Sequence, residues 1–381
     1  MLFKNKSLKS KVLALSLVLI VSPGLSGLST QLPGLAVTHS DGGDEESTEV
    51  EINKNSRSRL LEARNGWILS LPPSHILWSV YTKHAADAAD DKEHHKALVL
   101  SEAALEHVRH LDEESHRKKK TMEMLHEHSK LNEIEVHAPT LKKVANTPYV
   151  REQPSYLKKA PPRNFSKPES YIDTIREADL LASEGEADKA EALYIKALSQ
   201  LSRLKSTDGM IMVRLIDRVT RVFYRDGKYQ QAEEIIREHL FRHDSMWERL
   251  GPADPDRLQI AFLLSDLGLV YCGMNRYYEA EAATVEALKI VKQFRGEKDA
   301  DYIVMLGALA RLHKYMGEFE RSRKEYRQAI SLAGENRQIS RSSRAVIMGN
   351  YYKLLQKMGK TREAAKIATR ANELKKGTVP N

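Results

Sequence analysis

Arg214, Arg218, Arg221, Tyr224 and Arg225 recur every three to four residues, the spacing that lines side chains along one stripe of a helix. Guanidinium groups grip carboxylates through paired hydrogen bonds, so such a stripe suits an acidic peptide or a partner's acidic tail. The competing reading is a row of ordinary solvated helix charges. Histidine forms a second constellation, because ten of the fourteen lie between His75 and His137. His107 and His110 stand one helical turn apart, a spacing that chelates zinc or copper when further ligands arrive from elsewhere. Glu113 with His116, and Glu123 with His126, repeat a Glu-x-x-His spacing, although both fall on one predicted helix rather than on opposed helices. The alternatives are a helix whose charge follows pH and plain surface histidines. Cys272 is the single cysteine, which excludes an intrachain disulfide, a Cys-rich zinc module and an iron–sulfur site. It reads either as a passive small residue or as a thiol modulated by Arg276. Phosphate-binding glycine loops, dinucleotide fingerprints, His-Glu-x-x-His and Gly-x-Ser-x-Gly are all missing from the sequence. The expectation is a binding protein without catalytic residues or a cofactor, with a metal-binding envelope protein as the alternative.

The elements that must carry these residues follow from composition and patterning. With 381 residues, 41% hydrophobic, 29% charged, 19 Gly and 13 Pro, the chain fits two or three folded, helix-rich domains and neither a collagen-like nor a wholly disordered one. Lys4, Lys6, Lys9 and Lys11 precede the apolar run from Val12 to Val21, followed by Ser22-Pro23-Gly24. Residues 1–36 therefore read as an export signal, with Gly34-Leu35-Ala36 or Gly24-Leu25-Ser26 as the cleavage site. Extended over residues 12–28, the same run reads as an uncleaved membrane anchor. Either reading puts the rest of the chain across the membrane, in a periplasmic or extracellular space. Loss of four lysines takes the formal net charge from +8 to +4, so nucleic acid is a poor partner.

Residues 37–58 form an acidic flexible spacer around Asp41–Glu51. Residues 59–137 form a His-rich helical region. Residues 138–169 hold six prolines among seven lysines and arginines, which reads as a basic linker or as an arm for an acidic surface, with Asn164-Phe165-Ser166 as a glycosylation sequon. Beyond residue 170 the sequence repeats. Gly185 to Leu198 is echoed after Gly227, Asn275, Gly317 and Gly359, with Ala190, Ala232, Ala280, Ser322 and Ala364 separated by 42, 48, 42 and 42 residues. Each copy predicts a helical hairpin: an apolar helix, a turn glycine, then a helix whose small residue permits close approach. One hairpin cannot bury its own apolar face, whereas five stacked copies can.

These residues resemble the tetratricopeptide repeat, and the 42-residue period, longer than the usual repeat of about 34, is similar to the kinesin-light-chain form. Leu250-Gly251-Pro252-Ala253-Asp254-Pro255-Asp256 is similar to the inter-repeat loop of that form, and 295–301 is a weaker version. The resemblance implies an all-α helical-hairpin solenoid of about five repeats over residues 170–376, ahead of a tail at 377–381. It implies that outward positions of each first helix line a concave groove. Besides the arginine stripe, those are Arg311, Lys314 and Tyr315, and Asn350, Lys353 and Lys357, with Asn350 at the position that holds a peptide backbone. Asp179, Asp217 and Asp266 are the main acids on this wall, while Glu233, Glu234, Glu238, Glu279, Glu281 and Glu286 fall toward the outer face. Asn275, Ser322, Thr220 and His239 replace the usual glycine or alanine, which predicts looser packing there. A degenerate copy with Trp78, Ala85, Ala97, Ala104 and Leu105 keeps the offsets upstream, with Lys92 in place of the turn glycine. The last copy ends near Lys376 without a further capping helix, an end that could self-associate.

Overall fold

The computed structural model describes residues 71–108, 111, 115–132, 171–202 and 209–376, positions 248 and 252 excepted. The export signal or anchor, acidic spacer, basic linker with its sequon, His110 and the tail lie outside the described residues. Among the described residues there are thirteen helices and no strand. They are α1 (His75–Asp90), α2 (His94–Val108), α3 (His116–Leu131), α4 (Tyr171–Glu184), α5 (Ala187–Ser202), α6 (Gly209–Arg225), α7 (Tyr229–Trp247), α8 (Arg257–Gly273), α9 (Tyr277–Arg295), α10 (Ala300–Met316), α11 (Phe319–Glu335), α12 (Arg341–Lys357) and α13 (Thr361–Lys376). None of them is long and apolar enough to cross a membrane.

Pairs α4/α5 to α12/α13 are the five repeated hairpins, and each turn closes in the same way. Gly185, Gly227, Gly317 and Gly359 take positive φ, and Asn275 does so at φ 61°. The next amide donates five residues back, as in Glu186 N to Leu181 O at 2.9 Å and Arg276 N to Tyr271 O at 2.9 Å. This left-handed closure satisfies carbonyls left over at a helix end, and asparagine tolerates it better than other side chains. The α1/α2 turn is built identically, with Lys92 at φ 62° and Glu93 N to Ala88 O at 2.8 Å. The upstream hairpin thus shares the turn of the repeats despite lacking glycine.

Each second helix also packs on the first helix of the next hairpin, and the first helices α6, α8, α10 and α12 meet in series. The replacements at small-residue sites do not open this packing. Thr220, His239 and Ser322 are buried, and the His239 Nδ1–H donates to Ile235 O at 2.9 Å. Gly268 of α8 marks a close approach, since a Cβ there would collide with Thr284 Oγ1 and lie 3.1 Å from the backbone Ala280 O on α9. Gly268→Ala is expected to destabilise by about 1–3 kcal/mol through overpacking. Gly349→Ala on α12, where a Cβ meets nothing within 4 Å, should stabilise by about 0.5–1 kcal/mol through helix propensity. Urea denaturation of the two variants checks this opposition of sign.

The α1/α2 hairpin lies against α7 and α9, on the second-helix side, and Ile76, Leu77, Val80, Tyr81 and Leu100 join the hydrophobic core of the repeats. Glu233, Glu238, Glu279, Glu281 and Glu286, expected on an outer face, are consequently buried. A polar seam lies within this contact. Arg237 of α7 is fully buried and donates from Nε and Nη2 to Pro72 O at 3.1 and 2.7 Å. Seven residues on, Asp244 accepts from Ser74 Oγ, His75 N and Ile76 N at 2.9, 2.8 and 3.1 Å, so a side chain of α7 caps the start of α1. Such a cap satisfies amides that have no partner within the helix. Arg276 reaches Glu106 of α2, Glu233 and Glu279, with its guanidinium 4.1 Å from the Tyr271 ring centre. Farther along, Lys83 pairs with Glu286 at 2.7 Å and Lys96 with Glu281 at 2.9 Å. Ala371 and Leu374 of α13 pack on Ala345 and Met348 of α12, while Arg362, Lys366 and Arg370 are exposed.

Candidate functional site

The first-helix wall is read most directly from equivalent positions. Eleven residues before the anchors Ala190, Ala232, Ala280, Ser322 and Ala364 stand Asp179, Arg221, Leu269, Arg311 and Lys353. Fourteen before them stand Arg176, Arg218, Asp266, Ala308 and Asn350. Because all of these share one register on helices that pack side by side, they form rows running across the wall. Arg214, Arg218, Arg221, Arg225, Lys353 and Lys357 are exposed, Tyr315 is 49% exposed, and Tyr224, Arg311, Lys314 and Asn350 are partly so.

The structure divides this set by charge balance. On α6, Arg221 Nε donates to Asp217 Oδ1 at 2.8 Å, Arg218 lies 3.5 Å from Asp179 and Arg225 lies 3.8 Å from Asp226. Arg214 stands over the Phe262 ring at 5.9 Å. On α10 and α12 the situation is reversed. Among the described residues no carboxylate lies within 4 Å of Arg311, Lys314, Lys353 or Lys357, whose aromatic neighbours are Tyr224 at 5.9 Å from Arg311, Tyr315 at 4.6 Å from Lys314 and Phe319 at 5.0 Å from Lys357. Burial, followed by the charges of Arg311, Lys353 and Lys357, pulls the Lys314 ammonium below its ordinary range. Like charges in a shared, half-buried place disfavour the charged form, and an anion would relieve that cost.

A further row was not anticipated. Eighteen residues before the anchors stand Ile172, Arg214, Phe262, Val304 and Val346, four of them apolar, with Ile172 45% and Val346 59% exposed. The same 42-residue spacing that exposes the basic rows would have revealed it. The wall therefore carries apolar side chains near the N-terminal ends of its helices and cations toward the C-terminal ends.

Cys272 occupies an outward offset on α8 yet is buried, and its thiol is pushed up by burial more than Arg311 and Lys314 pull it down. A raised thiol is a poor nucleophile. Its cationic neighbours are Arg311 and Lys314, while Arg276 is engaged with Glu106, Glu233 and Glu279. His107 sits fully inside the α1/α2 contact. Its Nδ1 accepts from Ser74 N at 3.2 Å, Arg237 Nη2 stands 3.5 Å away, and its ring lies 5.6 Å from Tyr81. A nitrogen facing a guanidinium does not suit a metal cation. Among the described residues, Asp188, Glu191 and Asp226 form the single group of three close metal-type ligands, and Lys228 already pairs with Asp188 and Glu191.

A model of the tetratricopeptide repeat family matches residues 259–335, the stretch from α8 through α11. No curated protein matches the chain by sequence. Among solved structures, BtubC (BKLC) from P. vanneervenii is similar over 54% of this chain and 80% of that one, with 21% identity and a TM-score of 0.41. TPR-like repeats from Podosopora anserina, described as those of a kinesin light chain, are similar over 57% of this chain and 100% of that one, with 17% identity and a TM-score of 0.40.

Proposed function

We propose that this chain, whose hairpins are tetratricopeptide repeats, is an exported, non-enzymatic scaffold that holds an acidic peptide or a partner's acidic tail on its first-helix wall. Repeats of this family mediate protein–protein contact, which supports the scaffold role. The observation that carries the finer reading is the group Arg311, Lys314, Lys353 and Lys357, four cations on adjacent helices with no carboxylate among them. Val304 and Val346 on the same helices add apolar area, so an extended peptide alternating acidic and apolar residues fits best. The arginine stripe of α6 contributes less, because Asp179, Asp217 and Asp226 already draw on its charge.

Fluorescence anisotropy with a labelled peptide of alternating glutamate and leucine tests this. Lys314→Glu together with Lys353→Glu is expected to weaken binding at least tenfold and to flatten its salt dependence. Arg218→Glu with Arg221→Glu should change it less than threefold. Unchanged affinity in the first pair, or an equal loss in both, would overturn the assignment.

A further inference from the structure

The first and last hairpins of the array each leave open a helix face that the repeats between them cover. Among the described helices α4 packs chiefly on α5 and α13 on α12, whereas the three hairpins in between have neighbours on both sides. Ten residues before the anchors stand Leu180, Val222, Val270, Leu312 and Leu354. The last four are buried, and Leu180 is 58% exposed. Asp173 and Glu177 share its stripe, at positions held in the next repeat by the buried Leu215 and Val219. On α13, Asn372 is exposed where Leu198, Leu240 and Leu288 are buried at the same register, and Ala365 and Thr369 are exposed beside it. Charge joins each repeat to the one before. Lys228 reaches Asp188 and Glu191 at 3.7 and 2.5 Å, Arg276 reaches Glu233 at 3.2 Å, Arg321 reaches Glu281 at 3.0 Å and Lys360 reaches Glu320 at 3.1 Å. Lys228, Arg276 and Lys360 all stand four residues before their anchors, and Asp188 and Glu320 two before theirs. At the open ends these positions are Glu186 in the first repeat and Arg362 in the last, the same pair with its signs exchanged. Both are exposed: Glu186 shares a solvent-open pair with Lys189 of its own hairpin, and no carboxylate lies within 4 Å of Arg362 among the described residues.

We propose that a second copy of this chain seats its α4/α5 hairpin on α13, so that the array of repeats runs on from one molecule into the next. Leu180 then covers the small side chains of Ala365 and Thr369, and Glu186 meets Arg362 in the register that joins the repeats within one chain. The acids Asp173 and Glu177 answer the exposed cations Lys366 and Arg370 of α13. A contact made by two different surfaces leaves one of each unused on every pair, so it propagates into rings or filaments instead of stopping at a dimer. It makes no use of the basic first-helix wall and does not rest on the acidic-peptide reading.

Sedimentation velocity of the full chain at about 100 µM and low salt tests this, with an expected weight-average mass of about twice the monomer or more. Glu186→Arg and Arg362→Glu each set like charges across the junction, and each variant alone should sediment as a monomer. An equimolar mixture of the two should recover the parent's mass, because every junction between unlike copies again pairs opposite charges. Leu180→Asp should be monomeric under the same conditions. All three side chains are exposed, so circular dichroism should show the parent's helix content in every variant. A parent that stays monomeric, an association that persists in all three variants, or a mixture no heavier than its components would overturn the contact.

Discussion

Replacing Arg237 by leucine is expected to destabilise the folded chain by about 1–3 kcal/mol, the scale set by leaving a buried polar group without its hydrogen-bond donors. The guanidinium is fully buried and supplies two donors to a single carbonyl, Pro72 O, as well as standing 3.4 Å from Glu233. Leucine fills much of the volume and leaves that carbonyl without its donors. Glu233 is not orphaned, because Tyr271 donates to it at 3.1 Å and Arg276 lies 3.2 Å away. The cost therefore comes chiefly from the hairpin's entry segment and not from the acid. Lys83→Ala provides the contrast, since its side chain is 43% exposed and its pair with Glu286, although 2.7 Å long, is open to solvent. That change should cost under about 1 kcal/mol. Urea unfolding at pH 7 separates the two, and an Arg237→Leu variant within 1 kcal/mol of the parent would mean that the α1/α2 hairpin is not held through this contact.

The second large effect lies on the same helix and depends on pH. Burial pushes the Asp244 carboxyl up to about 6 despite the three hydrogen bonds it accepts, and burial pulls His239 down to about 3. The signs oppose one another. Asp244 takes up its proton more readily in the folded state, so its contribution is full below about pH 4 and is lost as pH rises through 6. His239 stays neutral when folded, so its contribution is full above about pH 6.5 and is lost as pH falls toward 3. Between pH 7 and 4.5 each is worth about 2–3 kcal/mol, in opposite directions. Asp244→Asn should thus make the protein more acid-labile than the parent, and His239→Leu less so. Unfolding free energies of parent and variants at pH 7 and 4.5 measure both differences, and variants that keep the parent's pH slope would refute the assignment. His313 adds a smaller term of the Asp244 sign, because hydrogen bonds to Glu281 and Glu325 raise it against the opposing effect of burial.

The repeats were legible because their geometry is local. Turn residues and small anchors recur within one hairpin, and even Asn275 kept its place in the count because it takes the same left-handed conformation as the glycines it replaces. The candidate wall was legible for the same reason, as a register on one helix face. Its charge balance was not, since Asp179 answers Arg218 from the preceding hairpin and Asp226 answers Arg225 from its own turn. The place of the upstream hairpin was equally hidden. His107 looked like half of a chelating pair because its real neighbours, Ser74 and Arg237, stand 33 and 130 residues away in sequence. The acids of α7 and α9 looked solvent-facing because nothing within a repeat says that another hairpin lies over them.

That placement bears on how the chain is made. The contact between Ser74 and Asp244 spans 170 positions, and Lys83 meets Glu286 across 203. During synthesis at roughly 5–20 residues per second, the hairpin that is translated first waits on the order of ten seconds or more for α7 and α9 to emerge. Each later hairpin finds its neighbour almost as soon as it leaves the ribosome. Throughout the interval Ile76, Val80 and Tyr81 lack the α7 and α9 residues whose core they join. Among the described hairpins this one waits longest for the neighbours that cover it, and a chaperone that binds exposed apolar helices would find its substrate there.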